Sequence, residues 1–189
     1  MTFGIFGAAL TLLVFLAPIK AMAGTVPSGP MPEATEEFVE KGRQTYIRRC
    51  SFCHGLLGDG GGPAADYLDP RPRDFTLGTY KFRTTTSGEL PTDNDLFRTV
   101  SRGLPGTAMQ AFDGDLIKNG LSEEERWEVI SYIKTFAMEF DEPDLDPVKT
   151  GKTVSLPANM PPFSPELVAR GKEIFERAKC WSCHGKTGR

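Results

Sequence analysis

Histidine is nearly missing from this chain, and cysteine is scarce. The 189 residues include two histidines and four cysteines. All six fall in two five-residue motifs, so no imidazole is left over for a separate acid–base group. An excess of positive charge is missing too: 22 Lys and Arg face 25 Asp and Glu, for a net charge of −3. Without a basic stripe the composition argues against nucleic-acid binding, while an acidic balance allows docking to a basic patch on a protein partner. The long apolar run is Phe3 to Ile19, 17 residues, which is at the short limit for a bilayer span. The length suits one ordinary domain and part of another.

The two motifs are Cys50-Ser51-Phe52-Cys53-His54 and Cys180-Trp181-Ser182-Cys183-His184. C-x-x-C-H is the pattern of a c-type haem attachment site. Residues three and four apart share one face of a helical turn. Cys50 and Cys53 can therefore add to the two haem vinyl groups while His54 reaches the iron from the same side, and Cys180, Cys183 and His184 can do the same. Two other readings of paired C-x-x-C are a zinc ribbon and a redox dithiol. A ribbon places its pairs roughly 15–20 residues apart; these lie far more widely separated, and zinc gives no reason for a histidine after each.

The N-terminus reads as a targeting segment. Residues 1–23 form an apolar stretch ending in Ala21-Met22-Ala23, a small-x-small cleavage pattern. The expectation is an exported, periplasmic chain with a cleaved signal peptide; the alternative is an uncleaved N-terminal membrane anchor. Removal takes Lys20 away and moves the net charge from −3 to −4. Residues 24–32 are a Pro/Gly/Ser linker. From Glu33 a helix is expected, with Phe38, Gly42, Tyr46 and Cys50 repeating every four residues. Gly42 within it implies close packing, or else a tolerated exposed glycine. The loop Gly58 to Ala65 lacks the following Lys-Ser/Thr of a phosphate loop, and reads as glycines letting the backbone pass a flat ligand. A metal-bound histidine commonly gives its second N–H to a carbonyl; Pro63 is the expected acceptor for His54, with Pro70 and Pro72 behind it.

From Glu33 to Phe140 the chain resembles a class I cytochrome c domain. The matching pieces are Gly42-x-x-x-Tyr46 leading into Cys50-x-x-Cys53-His54, the loop closing on Gly62-Pro63, Gly106-Thr107-Ala108-Met109, and the segment Leu121 to Ile133. The resemblance implies an all-α fold wrapped round one haem c, crossing N- and C-terminal helices, His54 and Met109 as axial ligands, and electron transfer. A methionine is usually core filling. Against that, Met31 precedes the domain, Met138 fits a helix, Met160 lies in a linker, and no third histidine exists. Met109 sits in a loop directly after an expected helix, where His/Met ligation would place it.

Elsewhere in the domain, Tyr80, Lys81, Phe82 and Arg83 fit either a contact with the macrocycle or a solvated loop. A short helix is expected over Asp93–Arg102, capped by Thr92 or Asp93 and ended by Gly103. Ser122 and Glu125 form a capping box for a closing helix whose inner face carries Trp127, Val129, Ile130, Tyr132, Ile133, Phe136 and Phe140.

Residues 141–163 are a Pro- and acid-rich linker, and at Ser164 the pattern restarts. Gly171-x-x-x-Phe175 leads into Cys180 with one extra residue. Residues 164–189 thus read as the start of a second cytochrome c domain, and the chain as a fragment of a dihaem cytochrome, or as one with a vestigial second site. The function expected is single-electron transfer with redox partner proteins, as a carrier or as the cytochrome subunit of a periplasmic oxidoreductase or respiratory chain, beside which a membrane-bound partner subunit has a place. The alternative is a dihaem peroxidase with an open second haem.

Overall fold

A computed structural model describes residues 26–155 and 161–188, and these form helices joined by turns. Among the described residues there is no β-strand, and pairing is limited to isolated bridges, Thr85 with Thr153 and Asp113 with Leu121. The chain separates into two compact units, dividing between Val154 and Ser155. The expected signal peptide, residues 1–23, and Met160 lie outside the described residues.

In the first unit each main helix starts where a side chain can satisfy its free N–H groups. Helix α1 runs Glu36–Arg49, with Thr35 Oγ1 accepting from Phe38 N at 3.2 Å. It starts three residues later than Glu33, the expected start, because the cap falls at Thr35. Helix α2, Ser51–His54, is a single turn following directly. Helix α3, Asp93–Arg102, opens with a capping box between Thr92 and Asp95 and stops at Gly103, whose φ of 64° suits glycine. Helix α4, Glu123–Lys134, opens with the Ser122–Glu125 box.

Helix α4 is shorter than its apolar period suggests. It ends at Thr135, and Met138–Asp141 forms a separate 3-10 turn. Phe136 and Phe140 still pack against the core, but from these turns. Periodicity records which residues face inward, not whether the helix continues between them.

The core gathers Tyr46 from α1, Leu96, Phe97 and Val100 from α3, and Trp127, Val129, Ile130 and Ile133 from α4. Helix α1 lies directly on α4. A Cβ on Gly42 would overlap the Glu128 carbonyl and lie 3.2 Å from Tyr132 Cβ, so this glycine is there for close packing. Tyr46 then meets Tyr132 at 5.3 Å and Phe136 at 5.2 Å between ring centroids. A buried ion pair joins α4 to the loop after α3: Arg126 Nη1 lies 2.7 Å from Asp113 Oδ2, the side chains 3% and 1% exposed. Arg126 also donates to Ser101 Oγ at 2.7 Å and lies over the Phe97 ring.

Residues 141–154 fold back on this unit. Thr86 N donates to Lys152 O at 2.9 Å, Val154 N to Thr84 O at 2.8 Å, and Lys152 Nζ pairs with Glu89 at 3.1 Å.

The second unit contains α5, Pro165–Arg177, capped by Ser164, and the single turn α6, Trp181–His184. In the first unit Cys50 N donates to Tyr46 O at 2.8 Å; here Cys180 N donates to Phe175 O at 3.0 Å. The same aromatic carbonyl receives the first cysteine in both copies. The extra residue is absorbed at Lys179, which takes φ 54°. Among the described residues no helix is long and apolar enough to cross a membrane.

Candidate haem-attachment site

Cys50 both ends α1 and begins α2. Cys53 N and His54 N each donate to the Cys50 carbonyl, at 3.1 and 2.9 Å, so Cys50, Cys53 and His54 occupy one turn. Tyr46 Oη holds the far end of that turn by donating to Gly55 O at 2.8 Å. Cys50 packs against the core. Burial pushes its thiol up to about 12, with the neighbouring Cys53 adding to the shift and Arg49 opposing it. At neutral pH it is therefore a protonated thiol and not an activated thiolate.

The imidazole of His54 is fixed on two sides. Nδ1 lies 3.0 Å from the carbonyl oxygen of Arg73. A carbonyl can only accept, so Nδ1 carries the hydrogen and Nε2 keeps the lone pair needed for a metal. The ring stacks on Phe75 with centroids 4.5 Å apart and planes 17° from parallel. Burial lowers its pKa, and the Arg73 bond works the other way. The imidazole is thus neutral at neutral pH, the state that ligates iron.

The carbonyl beside His54 is that of Arg73, a correction to the expected Pro63. The Gly62-Pro63 stretch is committed to the backbone of α2 instead. Gly62 N donates to Cys53 O and Ala64 N to Phe52 O, at 3.2 and 3.0 Å, and a Cβ on Gly62 would come 2.5 Å from Phe52 O. The loop glycines accordingly make room for protein: a Cβ on Gly58 would lie 2.7 Å from the Phe136 ring, and one on Gly60 2.8 Å from Pro72 O. Through these approaches Phe75 N donates to Gly58 O at 2.7 Å, and the segment from Pro72 to Phe75 is brought against His54.

Sequence reasoning missed both Arg73 and Phe75. A backbone carbonyl has no letter of its own, and Phe75 lies in a stretch with no apolar period. Of the undecided group, Tyr80 is half-buried, with Oη buried and without a hydrogen-bond partner among the described residues; Arg83 turns back to the Tyr80 carbonyl, and Phe82 stays exposed.

Met109 is half-buried in a turn closed by Leu104 N donating to Met109 O at 2.9 Å and Met109 N donating to Thr107 Oγ1 at 3.1 Å. Gly103 is required there, since a Cβ would come 2.5 Å from Met109 O. Met31 packs partly on the core and Met138 is exposed. In the second unit, Cys183 N and His184 N donate to Cys180 O at 3.3 and 3.0 Å, repeating the turn geometry of the first copy with Cys183 and His184 exposed.

The residues present fit a covalently held porphyrin. Two thiols and a neutral imidazole share one turn. Phe52 and Leu57 leave 65% and 72% of their surfaces bare beside it, and a buried tyrosine hydroxyl, which protein interiors normally pair, offers a donor to a group with acceptors of its own.

An all-helical unit that presents a cysteine pair and an imidazole on one turn defines a c-type haem domain. The chain belongs to the cytochrome c family, whose model, described as Cytochrome c, matches residues 39–137. It is a class I c-type cytochrome domain, a class whose members move electrons through covalent haem c.

Among curated proteins the chain is similar to the Cbb3-type cytochrome c oxidase subunit CcoP of Helicobacter pylori strain ATCC 700392 / 26695. Identity is 23% over 154 residues, covering 82% of this chain and 40% of that protein. CcoP of Helicobacter pylori strain 52 matches at the same identity, with 39% of it covered. The chain thus spans about two fifths of the length of these curated relatives. Among solved structures it is similar to a chain of the Kuenenia stuttgartiensis reducing HAO-like protein complex. The TM-score is 0.72 at 38% identity, covering 85% of this chain and 67% of that one.

Proposed function

We propose that this is an exported cytochrome whose first haem domain, residues 33–140, joins haem c through Cys50 and Cys53 and ligates its iron with His54 and Met109. A linker over residues 141–163 leads to a second attachment site at Cys180, Cys183 and His184, in residues 164–189. Haem c supplies a one-electron iron couple when bound. The protein transfers single electrons as a carrier or cytochrome subunit, and its partners are redox proteins of a periplasmic oxidoreductase or respiratory chain, a membrane-bound subunit among them. Residues 1–23 act as a signal peptide cleaved after Ala23. The partner reading is supported by the relatives, one a subunit of an oxidase and the other a chain of a multi-protein complex.

The observation that carries the proposal is the Nδ1–H donated to Arg73 O at 3.0 Å, which leaves Nε2 of His54 to the iron on the turn that holds both thiols. A thioether ligand from Met109, together with the His54 imidazole, would favour ferrous iron and raise the potential relative to harder ligands. Were His54 and Met109 both to hold the iron, no ligand position would be left open to peroxide at the first site.

The test is expression in a host with haem-maturation machinery. The peptide holding Cys50 and Cys53 should carry the mass of haem, and Met109→Ala should abolish the far-red methionine–iron absorption of the oxidised protein. Unmodified cysteines would overturn the attachment, and an unchanged far-red band would remove Met109. Carbon monoxide binding to the reduced protein, with peroxide turnover, would replace the carrier by an enzyme.

A further inference from the structure

The two contacts on the His54 imidazole come from one short segment. Arg73 supplies the carbonyl at 3.0 Å from Nδ1, and two residues later Phe75 supplies a ring stacked at 4.5 Å and 17°. A single hydrogen bond leaves a ring free to turn about the donor–acceptor line, whereas a face-to-face neighbour fixes its plane. Phe75 is itself held: it is 7% exposed in the core cluster, its N–H donates to Gly58 O at 2.7 Å, and its ring meets Tyr46, Tyr80 and Phe136 at 6.4, 6.2 and 6.3 Å. Gly60, at φ 73°, lets Pro72 O approach to a point where a Cβ would stand 2.8 Å away.

We infer that Phe75 is a positioning residue that sets the rotational angle of the His54 imidazole plane, and that the glycine loop Gly58–Gly60 clamps the Arg73–Phe75 segment for that purpose. The inference rests on His54 being the iron ligand. Outer partners of a metal-bound histidine fix its tautomer and ring orientation, and here the two tasks are divided, tautomer to Arg73 and plane to Phe75. The ring plane governs how imidazole orbitals overlap those of a metal, so the angle shapes the electron distribution from which an electron leaves.

The experiment uses the full-length holoprotein in the ferric state. Phe75→Leu keeps an apolar side chain and removes the flat face. It should redistribute the paramagnetically shifted haem-methyl proton resonances and alter the spread of EPR g-values, with covalent haem content unchanged. Phe75→Tyr retains the ring and should keep the wild-type pattern. Gly60→Ala, which displaces the clamped segment, should move the same resonances. A Phe75→Leu protein that melts earlier but keeps the wild-type methyl pattern and g-values overturns the inference, leaving Phe75 as core filling. Should Phe75→Leu not mature, the wild-type ferrous protein decides: nuclear Overhauser contacts between the Phe75 and His54 rings support the inference, and their absence overturns it. Failure of the parent reading looks different, since a His54→Ala protein with an unchanged haem spectrum would discard the ligand and not merely its positioning.

Discussion

At the crossing of α1 and α4 lies Glu128, a residue 6% exposed. Burial raises its pKa, the nearby Glu124 adds to this, Lys41 opposes it, and Glu125 and Glu37 contribute smaller like-charge effects. A raised folded-state value means that the native protein resists ionisation. The penalty is absent below the unfolded value of about 4.3 and acts fully once pH exceeds the folded value. Glu128→Gln should therefore raise the thermal midpoint at pH 7, with the gain shrinking to nothing as pH falls to about 4; a gain independent of pH would assign the effect to packing. The same contrast between letters and environments decides what can be foreseen at residue scale. Cys50, Cys53 and His54 are legible because the attachment chemistry demands those side chains at that spacing. Arg73 is not, because its contribution is a carbonyl that any residue would carry, and only the folded path of the chain selects it over Pro63.

Helix α1 approaches α4 at Gly42, where a Cβ would overlap the Glu128 carbonyl. Alanine gains about 1 kcal/mol over glycine in an exposed helix interior. Here that gain is outweighed, because the obstacle is backbone and cannot turn aside. Gly42→Ala should destabilise the domain by roughly 1–3 kcal/mol, the usual cost of overpacking, read by chemical denaturation. A more stable variant would mean that the helices separate freely. Element boundaries are legible where a cap fixes them: Thr92 and Gly103 bracket α3 as expected, and Ser122 opens α4. The end of α4 is not. Phe136 and Phe140 continue the inward pattern of Val129 and Ile133 after the helix has given way to tighter turns, so hydrophobic spacing alone overstates the helix. Glycines at Gly58–Gly62 suggest room for a flat ligand, whereas in the structure they make room for Phe136, Pro72 and the α2 backbone.

Across the whole molecule the internal repeat is the most legible feature, since Gly-x-x-x-aromatic before each C-x-x-C-H is written directly in the residues. The end of the first unit is harder to read, because composition changes at Asp141 while hydrogen bonding continues to Val154. The acid- and proline-rich stretch has no apolar period, yet it ties itself to residues 84–89 through two backbone hydrogen bonds and the Lys152–Glu89 ion pair. An exposed ion pair contributes at most about 1 kcal/mol, and each backbone bond roughly 0.5–1.5 kcal/mol. A protein ending at Phe140 should therefore be less stable than one ending at Val154 by roughly 1–4 kcal/mol, a fall of several degrees in Tm. Lys152→Ala in the longer protein should account for the smaller part of that loss, because it removes the ion pair and spares the Thr86–Lys152 and Thr84–Val154 bonds. Equal midpoints for the Phe140 and Val154 proteins would show that residues 141–154 rest on the first unit without supporting it.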